Sequence, residues 1–115
     1  MAVLKLTSEN FTKFIMETPM VMVDFASDRP ASCEFSFIVD AQSLKSKLIS
    51  FGRVFTAEEL DIVEGFGITK TPTLLILKAG NLVRDIPGAV DEAMLKALMD
   101  ELRELDIAAL EPKKD

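Results

Sequence analysis

Few residues in this chain could do chemistry. Cys33 is the single cysteine among 115 residues, and histidine is absent. Without histidine, the commonest general base and the commonest zinc ligand are both missing. One thiol permits neither an intrachain disulfide nor a Cys/His metal centre, so no metal and no cofactor are expected. A lone cysteine fits a reducing compartment, which makes the cytoplasm the expected location. Two other features stand out. Asp24 interrupts the apolar stretch from Met20 to Phe25, and a buried carboxylate must find a partner. Thr71-Pro72 precedes the apolar run Leu74 to Leu77, and X-Pro bonds alone adopt cis cheaply, at roughly 0.5–1 kcal/mol above trans.

The elements that must carry these residues follow from periodicity. Val3 to Leu6 reads as a short strand, and Thr7 or Ser8 can cap a helix bearing Phe11, Phe14 and Ile15. Met20 to Phe25 is continuous enough for a strand buried on both faces. Pro30 suits a first helical position, because its missing N–H would be unpaired there anyway. Phe37, Ala41, Leu44 and Leu48 recur at helical spacing, which predicts a helix from Pro30 to Leu48 with these residues inward. Gly52 to Thr56 reads as a strand, and Ala57 to Glu64 as a short helix with Thr56 as its cap. Lys78-Ala79-Gly80-Asn81 is a turn, from which Leu82 to Ile86 returns antiparallel. The last helix carries Val90, Met94, Leu98, Met99, Leu102 and Leu105 on one side. The order is β-α-β-α-β-α-β-β-α, an α/β arrangement whose central mixed sheet carries helices on both faces.

Composition narrows the function classes. Hydrophobic residues form 49% of the chain, enough for a core, and the formal net charge is −6. An acidic balance argues against a nucleic-acid partner, which needs clustered Lys and Arg. No apolar run approaches the roughly 20 residues of a bilayer span, and Met1 to Lys5 has no signal-peptide character. A membrane partner is therefore not expected. The length fits one domain over residues 1–110, followed by a flexible tail at 111–115.

Several strings, in order, resemble the thioredoxin family. They are Val23-Asp24-Phe25-Ala26, Gly67 to Leu75 around Thr71-Pro72-Thr73, Lys78-Ala79-Gly80, and Gly88-Ala89. The resemblance spans roughly residues 3 to 105 and implies a thioredoxin fold. Counting from Asp24, the family's Trp-Cys-Gly-Pro-Cys falls on Arg29, Pro30, Ala31, Ser32 and Cys33, a degenerate version of that active site. Pro30 stands at the attacking cysteine, Cys33 at the resolving one, and Ile38 at the helix-kinking proline.

Dithiol chemistry needs an exposed thiolate to attack and a second thiol to resolve, so ordinary dithiol oxidoreductase activity is not expected. The resemblance gives Asp24 the place of the family's buried acid, with Arg53 as its candidate partner, and gives Thr71-Pro72 the place of the peptide-binding cis-proline segment. The leading expectation is a non-catalytic module that binds a protein or extended peptide, as a monomer or weak homodimer. The alternative is a monothiol redox protein acting through Cys33 by glutathionylation or an interchain disulfide. Cys33 itself reads either as that reactive thiol or as a half-buried packing residue. Phe35, beside Arg29, is the candidate for an apolar patch on the altered surface.

Overall fold

In the computed structural model, which describes residues 2–106, the continuous apolar segments become the inner strands. Strands β1 (Leu4–Lys5), β2 (Met20–Ala26), β3 (Ser50–Phe55), β4 (Thr73–Lys78) and β5 (Asn81–Pro87) alternate with helices α1 (Phe11–Glu17), α2 (Pro30–Lys45), α3 (Leu60–Gly65) and α4 (Glu92–Glu104) in the predicted order. The sheet runs β1-β3-β2-β4-β5, with β1, β3 and β2 parallel and β4 and β5 antiparallel to their neighbours. The expected tail at 111–115 lies outside the described residues. Among the described residues no helix is long and apolar enough to cross a membrane.

Strand alternation splits the core in two. Met22, Leu74 and Ile76 join Phe35, Val39, Leu95 and Leu98 beneath α2 and α4. Val21, Val23, Leu75 and Leu77 join Phe11, Ile15 and Ile62 beneath α1 and α3. β2 and β4 are apolar at successive positions because both of their faces are covered. Lys78, at the end of β4, donates from Nζ to the carbonyls of Leu102 and Leu105 at 2.9 and 2.6 Å. A cation there satisfies the open end of α4 and opposes its dipole.

The structure corrects several expectations. α2 ends at Lys45, and Phe37, Ala41, Leu44 and Leu48 face solvent. The inward residues are instead Ser32, Phe35, Val39, Gln42 and Ser43. The helix carries two apolar stripes, and the buried one is the stripe whose rotation also brings Ser32 and Ser36 to buried polar partners on β2 and its following loop. Phe35 is therefore core and forms no surface patch. On α4 the buried position is Leu95, while Met94 is exposed, because the helix begins at Glu92 with Asp91 as its cap, accepting from the Met94 N–H. Thr56 does not cap α3. It bonds back to the Ala26 carbonyl through its N–H and hydroxyl, and the helix starts four residues later. Neither Thr7 nor Ser8 caps α1. Asn10 precedes it, its Oδ1 taking the Thr7 N–H at 2.7 Å to close a turn.

Gly52 lets β1 and β3 close against α1. A Cβ there would press into Leu6 Cδ1, with Leu6 Cγ 2.8 Å away and the Phe14 ring at 3.3 Å. Leu6 is fully buried, so its side chain can give way only by displacing close-packed neighbours. Gly52→Ala is expected to destabilise the fold by roughly 1–3 kcal/mol, as overpacking does. Urea denaturation checks this. In a Leu6→Ala background the same change should cost far less, and an undiminished cost would refute the steric origin.

Candidate functional site

β2 delivers its last residue, Ala26, to a loop that ends at Pro30, the first residue of α2. Ser27 organises this loop. Its N–H donates to Ser32 Oγ at 2.9 Å, its hydroxyl receives the Arg29 N–H at 3.2 Å, and the same hydroxyl meets Thr71 Oγ1 at 2.6 Å. Its carbonyl lies 3.8 Å from the Cys33 sulfur, which donates to it. One serine thus ties the start of α2 to the segment ahead of β4. The Thr71-Pro72 bond is cis.

Beneath the loop, Asp24 is fully buried. The parallel register places Asp24 beside Arg53 on β3, and Arg53 Nε donates to Asp24 Oδ2 at 2.8 Å. Ser36 Oγ donates to the same oxygen at 2.7 Å. Arg53 also reaches the Ser36 carbonyl at 3.1 Å and Asp40 Oδ1 at 3.0 Å. Asp24 Oδ1 is buried without a hydrogen-bond partner among the described residues. Burial pushes the Asp24 carboxyl above its ordinary value, and the bonds from Arg53 and Ser36 reverse only part of that shift. Burial alone would lower the Arg53 value, but Asp24 and Asp40 together more than offset it, so the guanidinium stays charged.

The predicted site residues divide between two hollows. Arg29 and Thr71 line a cleft of about 370 Å³ with Thr56, Val63, Ile68, Thr69 and Lys70. Cys33 lines a different, shallower hollow of about 230 Å³ together with Phe37, Phe55, Arg53 and Asp40. Pro30 and Ala31 are exposed at the start of α2. Cys33 is exposed, contrary to the half-buried packing reading. Ser32 takes the buried place, because its hydroxyl is the acceptor for the Ser27 N–H. No hydrogen bond joins Asp24 to Cys33 among the described residues. Sequence reasoning missed Ser27, Ser36 and Lys70. For Ser36 a signal existed: Ser32 and Ser36 stand one helical turn apart, which puts two hydroxyls on a single face of α2.

The displaced Asp24 carboxyl sets a pH dependence. From its ordinary value of 3.8 up to the higher value held in the fold, the folded chain keeps a proton that the unfolded chain has released. This group's contribution is therefore fully present below about pH 3.8 and is lost as pH rises through the folded-state value. Urea unfolding of the natural chain and of Asp24→Asn at a series of pH values isolates it. The natural chain should lose stability relative to the variant as pH rises from the acid end. The opposite slope would mean that Arg53 outweighs burial.

Comparison with known proteins agrees with the strand order and the geometry. The model of the family described as Thioredoxin matches residues 2–101. The chain is 30% identical over 104 residues to the Streptomyces coelicolor protein designated thioredoxin 2, covering 90% of this chain and 78% of that one. It is 27% identical over 97 residues to the thioredoxin of Chlamydia pneumoniae, covering 84% and 94% respectively. Among solved structures, a mutant thioredoxin of Halobacterium salinarum superposes with a TM-score of 0.83 at 20% identity, over 91% of this chain and 94% of that one. Plasmodium falciparum thioredoxin gives 0.80 at 25% identity, over 86% and 98%. The chain belongs to the thioredoxin family.

Proposed function

We propose that this domain is a non-catalytic thioredoxin-like module that holds an extended protein segment in the cleft beside Thr71. One observation carries the reading. Among the described residues neither the N–H nor the carbonyl of Thr71 has a hydrogen-bond partner, and both belong to a residue lining the cleft of about 370 Å³ beside the loop. An unpaired backbone donor and acceptor at the end of a strand are what strand addition uses. The chemistry beside them is reduced: with one cysteine, the chain cannot cycle between dithiol and disulfide. Cys33 does not line the cleft but a separate hollow. The lone thiol fits a reducing compartment, and we place the protein in the cytoplasm on that ground.

Two measurements test this. With a dithiol donor, insulin disulfide reduction should stay at background, and turnover comparable to a dithiol thioredoxin would end the reading. Added as a pool of short random peptides, a ligand should move the Thr71 amide signal in a nitrogen–proton correlation spectrum more than the signals of α1. Binding that leaves Thr71 unmoved would end it equally.

A second reading is favoured by the exposure of Cys33. In it, the thiolate attacks a disulfide such as glutathione disulfide, a mixed disulfide forms, and one thiolate departs. The chain offers no second thiol for resolution, so the reaction stops there until an external thiol reverses it. Iodoacetamide should then label native Cys33 within about tenfold of the unfolded-chain rate, since thiol access governs the reaction. Labelling confined to unfolded protein would remove this reading.

A further inference from the structure

We propose that the Thr71 cleft selects acidic segments, with Arg29 and Lys70 pairing carboxylates of the bound chain. This inference rests on the peptide-binding reading and adds the chemistry of the ligand. Seven residues line the cleft, of which two are cations and none is a carboxylate. Arg29 and Lys70 are exposed, and neither enters an ion pair among the described residues.

The hollow between α2 and α4 provides the contrast. Lys45, Lys96 and Arg103 line that one; Lys96 pairs with Glu92 and Arg103 with Asp100, and of the three only Lys45 has no ion pair among the described residues. Its cations are largely met from within, whereas those of the Thr71 cleft are left for a ligand. Asp28 precedes Arg29 in the chain but does not line the cleft.

The chain as a whole carries a net charge of −6, so its long-range field repels acidic peptides rather than gathering them. Preference for acid must therefore arise at short range, where an arginine can grip a carboxylate through two parallel N–H bonds. Lys70 is the residue before Thr71 and lines the same cleft, which puts its ammonium within reach of a segment bound there. Backbone pairing supplies affinity without sequence preference, and the two cations supply the selectivity.

Fluorescence anisotropy with two matched panels tests the proposal. One panel holds short labelled peptides alternating valine with glutamate, and the other has glutamine at every glutamate. The glutamate panel should bind roughly two- to thirty-fold tighter, the range that two exposed ion pairs provide. The preference should shrink towards 1 M salt, where the Debye length is about 3 Å. It should vanish in Arg29→Gln/Lys70→Gln and persist in Lys45→Gln/Lys47→Gln, which removes the same charge elsewhere. Equal binding of both panels would overturn acid selectivity and leave the peptide-binding reading intact. A preference that survives in Arg29→Gln/Lys70→Gln would overturn the assignment to this cleft. Binding of neither panel would overturn both readings.

Discussion

Asp24 lies in the middle of the sheet with none of its surface reaching water, so its carboxyl has to be met by the protein. The requirement reaches well beyond one strand. Arg53 is brought alongside by the β2–β3 register, and Ser36 is brought down by α2. A helix can present Ser36 inward in only one rotational setting, and that setting also buries Ser32, Phe35 and Val39. It sends Phe37, Ala41 and Leu44 outward. The arrangement is not a store of stability, because burying charge costs several kcal/mol per ion before the pair recovers any of it. Its effect is specificity: of two apolar stripes on α2, the polar anchors select one.

The same setting determines where the loop residues sit. With Ser32 turned in to accept the Ser27 N–H, Cys33 comes one step further around the helix and emerges at the surface. Ser27 then bonds to Thr71, so the buried anchor, the start of α2 and the edge of the cleft form a continuous chain of contacts. The thiol and the free Thr71 backbone line separate hollows.

Much of this was legible in the sequence. Unbroken apolar runs at Met20 to Phe25 and Leu74 to Leu77 identified strands covered on both faces, and the Ala79-Gly80 turn identified the hairpin. Arg53 was identified as the candidate partner of Asp24 through the family resemblance, and the parallel β2–β3 register places the two side by side. What could not be read was rotation. α2 is apolar on two sides, and helical spacing alone supports either face. Which face turns in depends on bonds from Ser32 and Ser36 to residues elsewhere in the chain, and a local pattern does not contain them. The misplacement of Phe35 follows from that one ambiguity, whereas the half-buried reading of Cys33 came from the family's resolving sulfur and is overturned by its exposure. The Met94 and Leu95 exchange is a smaller case, in which a one-residue shift in phase moves one side chain to solvent and its neighbour to the core.

In the proposed function, absence of an attacking thiol and presence of a binding cleft are compatible because they depend on different atoms. Nucleophilic exchange rests on one sulfur in one position, and a single substitution such as proline removes it. Strand addition rests on a backbone N–H and carbonyl, which every residue but proline carries whatever its side chain. The cleft at Thr71 is held by the strand order and by the Ser27 bond, neither of which needs a second cysteine. Pro30 even favours the helix start that sets the loop, since its fixed backbone angle suits the first turn. On the proposed reading, such a fold can lack the dithiol step and still keep the Thr71 cleft intact. The side chains around that cleft, Arg29 and Lys70 foremost, are the ones to which the proposal assigns the choice of partner.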